Sequence, residues 1–233
     1  MNESQNFNIY LLISKRELVI SVFSTNNKNI YQQKILLEKN NEILNLNELD
    51  SFLSNNIFKI EKVLKSFVKS VSIILDLDDF LNIELSIKQN NYENFIKLQN
   101  LDYILKEAKD DCKGTIDNRK IIHMLINGYK IDGKHYSLLP LNHKCNSFSI
   151  DLEFICLPNI IIKDLKKLLK KYQISLSHIT NASYVKKFLT ADEDNIFLTT
   201  TKLAEGLNPN EVILIDRNDE KKGFFERFFN FFN

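Results

Sequence analysis

NIYLLISKRELVISVFSTNNKNIYQQKILLE, Asn8–Glu38, decides the fold. Its first two segments, NIYLLIS and ELVISVF, are rich in branched and aromatic residues and meet at Lys15-Arg16. Its third, NIYQQKILLE, follows the turn signal STNNKN. The pattern predicts a three-stranded antiparallel meander. Downstream, Leu49, Phe52, Leu53, Ile60, Val63, Leu64, Phe67 and Val68 recur mostly at three- and four-residue spacing, which predicts one apolar face of a helix. VSIILDL, Val71–Leu77, is apolar without alternation and reads as a buried strand.

A second α+β unit runs from about Asn82 to about Phe188. NIELSIK reads as a strand, and Leu98, Leu101, Ile104, Leu105, Ala108 and Cys112 line one side of a helix. RKIIHMLINGYKIDGKHY gives a strand and then turn chemistry at Asp132-Gly133. In FSIDLEFICL, Phe148, Ile150, Leu152, Phe154 and Cys156 alternate with Ser149, Asp151 and Glu153, so one face must be buried. Pro158 can open the next helix, whose stripe is Ile161, Leu165, Leu168, Leu169 and Tyr172. ISLSHIT then reads as the returning edge strand of the same sheet. The unit is expected to hold three or four strands and two covering helices. From Thr190 the pattern thins to a short helix and one strand, EVILI, before the charged linker DRNDEKKG.

Composition narrows the function classes. Net charge is +1, and lysines interleave with acids along the chain, so a nucleic-acid footprint is not expected. Three cysteines outside any CxxC spacing suggest reduced thiols in a cytoplasmic protein. The polar MNESQNFN is unlike a signal peptide, and no apolar run is long enough to span a bilayer. Asp76, Asp78 and Asp79 follow a strand as metal carboxylates can, but with no second ligand cluster a turn or cap role is the simpler reading. His143 and Cys145 show no ligand-pair spacing with Cys112, Cys156, His123 or His135. His123 reads as a satisfied strand histidine, and the lysines of KDLKKLLKKY as the solvated face of a helix. No metal, cofactor or catalytic residue is expected.

The chain ends in GFFERFFNFFN. On a helix Phe224, Phe225, Phe228, Phe229, Phe231 and Phe232 form one apolar face, with Glu226, Asn230 and Asn233 opposite and Arg227 at the border. So short a helix is marginal alone in water and needs a surface. Six partly inserted rings would gain roughly 8–12 kcal/mol gross. Lys221, Lys222 and Arg227 add attraction to anionic headgroups, so these nine residues are the expected membrane-binding set. Folding back onto the protein's own sheet, or into a partner's groove, are the alternatives.

The order of these segments resembles the actin-like cell-division family FtsA. IIHMLINGYKIDGK is similar to the family's strand and hairpin through His123, Tyr129, Ile131, Asp132 and Gly133, with Ile126 where the family has proline. DLEFICLPNIIIKDLKKLLKKYQISLSHI resembles its next strand, helix and strand. NASYVKKFLTADED resembles the stretch that follows, through Ala182-Ser183 and Leu189-Thr190-Ala191-Asp192-Glu193. The charged linker and phenylalanine helix resemble the family's membrane-targeting terminus. The resemblance covers about the first 195 residues and the last 13.

It implies an α+β fold: a partial actin-like (ribonuclease H-like) subdomain over 1–81, an inserted SHS2-type subdomain over 82–188, a return segment over 189–215, and a linker with amphipathic helix over 216–233. Of the family's first phosphate loop only Ser14-Lys15 remains, and none of the five glycines is spaced as GxG. The second nucleotide-binding half does not fit after Thr190, so no ATP hydrolysis is expected. The implied function is a non-enzymatic division adaptor, peripheral on the inner face of the cytoplasmic membrane through anionic lipids. It would present the inserted subdomain to division-machinery proteins, with self-association open and FtsZ contact in doubt. The alternatives are a cytoplasmic platform module of a pilus or secretion system and a degenerate actin-like ATPase.

Overall fold

The computed structural model describes residues 7–37, 44–141, 143–191 and 194–212. The chain runs β1 (Phe7–Ser14), β2 (Glu17–Ser24), β3 (Asn29–Leu36), α1 (Leu46–Leu64), β4 (Ser70–Asp76), β5 (Leu81–Phe95) and α2 (Leu98–Thr115). It continues through β6 (Arg119–Ile131), β7 (Lys134–Tyr136), β8 (Lys144–Pro158), α3 (Asn159–Lys171), β9 (Ser175–Asn181), α4 (Ala182–Lys186) and α5 (Ile196–Ala204). Two units result. One takes the described residues before Leu81 together with Pro158–Leu207; the other takes Leu81–Leu157 and the described residues from Asn208 on.

The first unit is built on a five-stranded sheet ordered β3-β2-β1-β4-β9. β1, β2 and β3 form the antiparallel meander, while β4 and β9 run parallel to β1. β2 is buried along six consecutive residues, and Ile73, Ile74 and Leu75 of β4 are all fully buried. Unalternated apolar strands of this kind belong in a sheet covered on both faces. One face meets α4 and α5, where Tyr10, Val19, Phe23, Ile74, Ala182 and Phe197 form a cluster. Leu11 and Ile13, of opposite parity to Tyr10, point to the face that α1 covers through Leu49, Phe52, Leu53 and Ile60. Asparagine starts three helices: Asn45, Asn181 and Asn195 each accept from backbone N–H groups of α1, α4 and α5. The order 3-2-1-4 followed by a second parallel strand, with helices on both faces, is that of the ribonuclease H-like half of actin-like proteins. The second unit is inserted between β4 and α3.

That second unit is a four-stranded sheet ordered β5-β8-β6-β7. β5 pairs antiparallel with β8 from Leu81↔Cys156 onward. One face packs on α2 through Leu101, Ile104, Leu105, Ala108 and Cys112, against Phe148, Ile150, Leu152, Phe154 and Cys156 of β8. The β6–β7 hairpin turns at Asp132 (φ 46°) and Gly133 (φ 83°), the left-handed pair that a two-residue hairpin demands. Asp132 fastens it to β8 by accepting from the backbone N–H groups of Asn146 (3.0 Å) and Ser147 (2.8 Å). The chain returns at Asn208–Val212: Ile126 N donates to Asn210 O and Val212 N to Met124 O, and Val212 joins the core.

Two expectations change. The second unit ends at Leu157 rather than near Phe188, because ISLSHIT is β9 and pairs with β4 of the first sheet, taking α3 with it. The segment 189–215, whose packing the sequence leaves open, divides over its described residues, with α5 in the first unit and Asn208–Val212 in the second. In α1 the apolar stripe is shorter than the spacing implies. The helix stops at Leu64, Lys65 turns left-handed (φ 52°), and Val63 and Phe67 are exposed. No described helix is long and apolar enough to cross a membrane.

Candidate functional site at the strand ends

β1, β4 and β9 are parallel, so their C-terminal ends share one edge of the sheet, with Ser14 beside Asp76 and Leu75 beside Asn181. Open sheets of this kind bind ligands there. Four charged side chains converge on that edge. Lys15, in the β1–β2 turn, pairs with Asp78 just past β4. Lys186, at the end of α4, pairs with Asp76 at the end of β4, Nζ to Oδ2 2.8 Å. Within these two pairs each cation is matched by a carboxylate. Pairs this exposed contribute little to stability, about 0–1 kcal/mol each, so their consequence is mainly neutralisation.

The turn itself is also occupied. Ser14 Oγ accepts from the backbone N–H groups of Glu17 (3.0 Å) and Arg16 (3.2 Å) and donates to Glu17 O (3.1 Å). A phosphate-binding turn needs such N–H groups directed at the anion; in this hairpin the serine takes them. Asn181 Oδ1 likewise accepts from Tyr184 N at the start of α4 (2.8 Å). Beside Ser14, a cavity of about 10 Å³ lined by Ile13, Leu18, Leu77, Asn45 and Glu48 has room for at most one water.

Of the acidic run, Asp76 and Asp78 are therefore ion-pair partners. No group of three or more His, Cys, Asp or Glu side chains that could hold a metal occurs among the described residues. His123 is buried and its Nδ1 lies 2.7 Å from Glu211 Oε1, a partner the sequence reading lacked because it is 88 residues away. His143 lies against the Tyr136 ring, and Cys145 is buried, receiving Asn91 Nδ2 at 3.3 Å. All three cysteines are free and buried. Lys171 of α3 reaches Asp50 of α1 at 2.8 Å. The expected membrane-binding set, Lys221, Lys222, Phe224, Phe225, Arg227, Phe228, Phe229, Phe231 and Phe232, lies outside the described residues.

The fold is α+β, and its first unit has the strand order of a ribonuclease H-like, actin-like subdomain. No family model and no curated protein matches the chain. Among solved structures it is similar to the cytoplasmic domain of EpsL, an inner membrane component of the type II secretion system of Vibrio cholerae. Identity there is 12%, over 77% of this chain and 57% of that one, with a TM-score of 0.36. It is also similar to a PilM–PilN type IV pilus biogenesis complex, at 8% identity over 76% of this chain and 48% of that one, TM-score 0.46. A third is a Bacteroides thetaiotaomicron protein with an actin-like ATPase fold, at 12% identity over 80% and 56% of the two chains, TM-score 0.32. The chain spans about half the length of these structures.

Proposed function

We propose that the protein is a non-enzymatic platform module that lies on the inner face of a membrane and presents its inserted unit to partners of a membrane-associated assembly. The observation that carries the non-enzymatic part is the strand-end edge, where Lys15–Asp78, Lys186–Asp76 and the Ser14 hydroxyl occupy the groups that would grip a phosphate. The membrane part rests on the phenylalanine face of residues 224–232 and its flanking cations. The assembly takes one of two forms: a pilus or secretion platform, as for EpsL and PilM, or the division machinery. The second is favoured by the segment order shared with FtsA, including the Asp132-Gly133 hairpin. The complex with which the protein co-purifies from its host distinguishes them.

The test has two arms on the full chain. Titration calorimetry with Mg-ATP is expected to give no binding heat; stoichiometric binding that Lys15→Ala weakens would restore the ATPase reading. Sedimentation with anionic vesicles is expected to pellet the full chain and leave a version lacking residues 221–233 in solution. Phe228→Asp should be nearly as damaging, since a charge then sits in the middle of the inserting face. Equal pelleting of all three removes the membrane role.

A further inference from the structure

The free edge of β5 has the sequence of a self-complementary strand. β5 is terminal in its sheet, and among the described residues its backbone pairs with β8 alone. Its pattern alternates strictly. Ile83, Leu85 and Ile87 pack toward the core, while Asn82, Glu84, Ser86, Lys88 and Asn90 are exposed. The regular stretch is bounded. It begins at the strand start and is broken after Asn90 by a bulge in which Tyr92 (φ 48°) and Glu93 (φ 58°) are left-handed. A bulge of this kind terminates pairing, so the pairable segment is Leu81–Asn90, and its exposed face, Asn82, Glu84, Ser86, Lys88 and Asn90, is centred on Ser86.

We propose that two copies of this chain pair antiparallel through β5 about a twofold axis at Ser86, joining their sheets edge to edge. That register sets Glu84 of each copy opposite Lys88 of the other on the exposed face and Leu85 opposite Ile87 on the core-facing side. It also sets Ser86 against Ser86. Opposite-charge and branched apolar pairs are the combinations that favour strand pairing. The twofold makes each occur twice. Within one copy, Glu84 sits directly across from Glu153 of β8, a like-charge pair, and no ion pair among the described residues reaches Glu84 or Lys88. Among the other terminal strands, β3, β7 and β9, the eight-residue β3 has no such logic. Its one charged residue, Lys34, is engaged by Glu17 of the neighbouring strand, and pairing β3 with itself brings no opposite charges together. Open edges are ordinarily blunted by charges and bulges; at β5 the bulge limits the pairable length, and the charges are complementary across the twofold.

The experiment is sedimentation velocity on the full chain across a concentration series, with four proteins: the parent, Glu84→Lys, Lys88→Glu and the double exchange. The parent is expected to show a concentration-dependent dimer. Each single exchange turns two attractive pairs into two repulsive ones and should weaken the dimer about tenfold. The double exchange restores opposite charges in the same register and should return the dimer to near the parent's strength. Unchanged far-ultraviolet circular dichroism shows that these exposed substitutions leave the fold intact. A chain that is monomeric throughout overturns the proposal, as does an association indifferent to the single exchanges or a double exchange no better than either single. A phenylalanine-driven oligomer, or an edge that takes a strand of another protein, appears as one of these outcomes.

Discussion

The two sheets bury their strands differently, and the difference locates what each can do. β4 carries Ile73, Ile74 and Leu75 side by side with none exposed, since α1 lies on one face and α4 and α5 on the other. β5, at the edge of the second sheet, alternates half-buried and exposed residues from Asn82 to Asn91, while its neighbour β8 is buried on both faces from Leu152 to Leu157. A sheet sealed on both faces has only its strand ends and edges left for ligands. Here the ends are closed by two ion pairs and a serine. The second sheet keeps, at its edge strand β5, an exposed strand face and an open edge with matched charges.

The sharpest way to break that contrast is alanine at neighbouring positions of each strand. In β4, Ile73→Ala and Ile74→Ala should each cost about 2–5 kcal/mol, because both side chains are enclosed. In β5, Leu85→Ala should cost a fraction of that, and its exposed neighbour Ser86→Ala, which removes only the hydrogen bond donated to Asp151, at most about 1 kcal/mol. Urea unfolding measures all four. If Ile73→Ala and Ile74→Ala differ as widely as Leu85→Ala and Ser86→Ala, β4 is covered on one face only and the contrast with β5 fails.

A smaller effect tests how the returning chain is held in the second unit. Glu211→Ala removes the carboxylate 2.7 Å from His123 Nδ1 inside that unit. Losing such a partner of a buried group should cost about 1–3 kcal/mol. In the first unit Thr201→Val, which deletes the 2.7 Å bond to Tyr10 Oη, should cost about 1 kcal/mol. Amide exchange of Ile126 and Val212, whose N–H groups close the bridge to the return segment, should quicken in Glu211→Ala and stay slow in Thr201→Val.

What the sequence reveals and conceals follows from how local each cause is. The meander was legible because hairpins join neighbours and the turn residues sit between them. The Asp132-Gly133 turn was legible because two residues carry its whole geometry. β9 was assigned to the wrong sheet because its partner β4 lies on the far side of the inserted unit, and ISLSHIT says nothing of which edge it will join. The strand-end ion pairs span 63 and 110 positions, so Ser14-Lys15 could be read as a remnant of a phosphate loop but not as half of a neutralised edge. Phe67 misled because spacing continues past the point where Lys65 turns the chain out of the helix, and Val63 because it lies in the last turn of α1 on the exposed side.

The smallest expected effect concerns pH, and it separates the tie between α1 and α3 from the hairpin anchor of the second unit. Asp50 accepts from Lys171 Nζ at 2.8 Å and Tyr172 Oη at 2.6 Å, and these bonds, Lys171 first, hold its carboxyl below the ordinary aspartate value of 3.8. A lowered folded value means that its contribution is complete above the ordinary value and is lost as pH falls through the lower one. Tyr172 is pushed up to about 12, first by burial and then by the bond to Asp50, so its contribution is complete below 10 and is lost as pH rises toward 12. Asp132 is also lowered, chiefly by the Ser147 N–H, and adds an acid response of the same sign from the other unit. Asp50→Asn should therefore flatten part of the acid fall in Tm and leave the Asp132 part, while Tyr172→Phe should trim the alkaline fall and leave most of the acid one. Both groups of atoms are largely solvated, so the shifts in Tm will be small. An Asp50→Asn protein whose Tm falls in acid as steeply as the parent's would show that the α1–α3 tie contributes nothing to that limb.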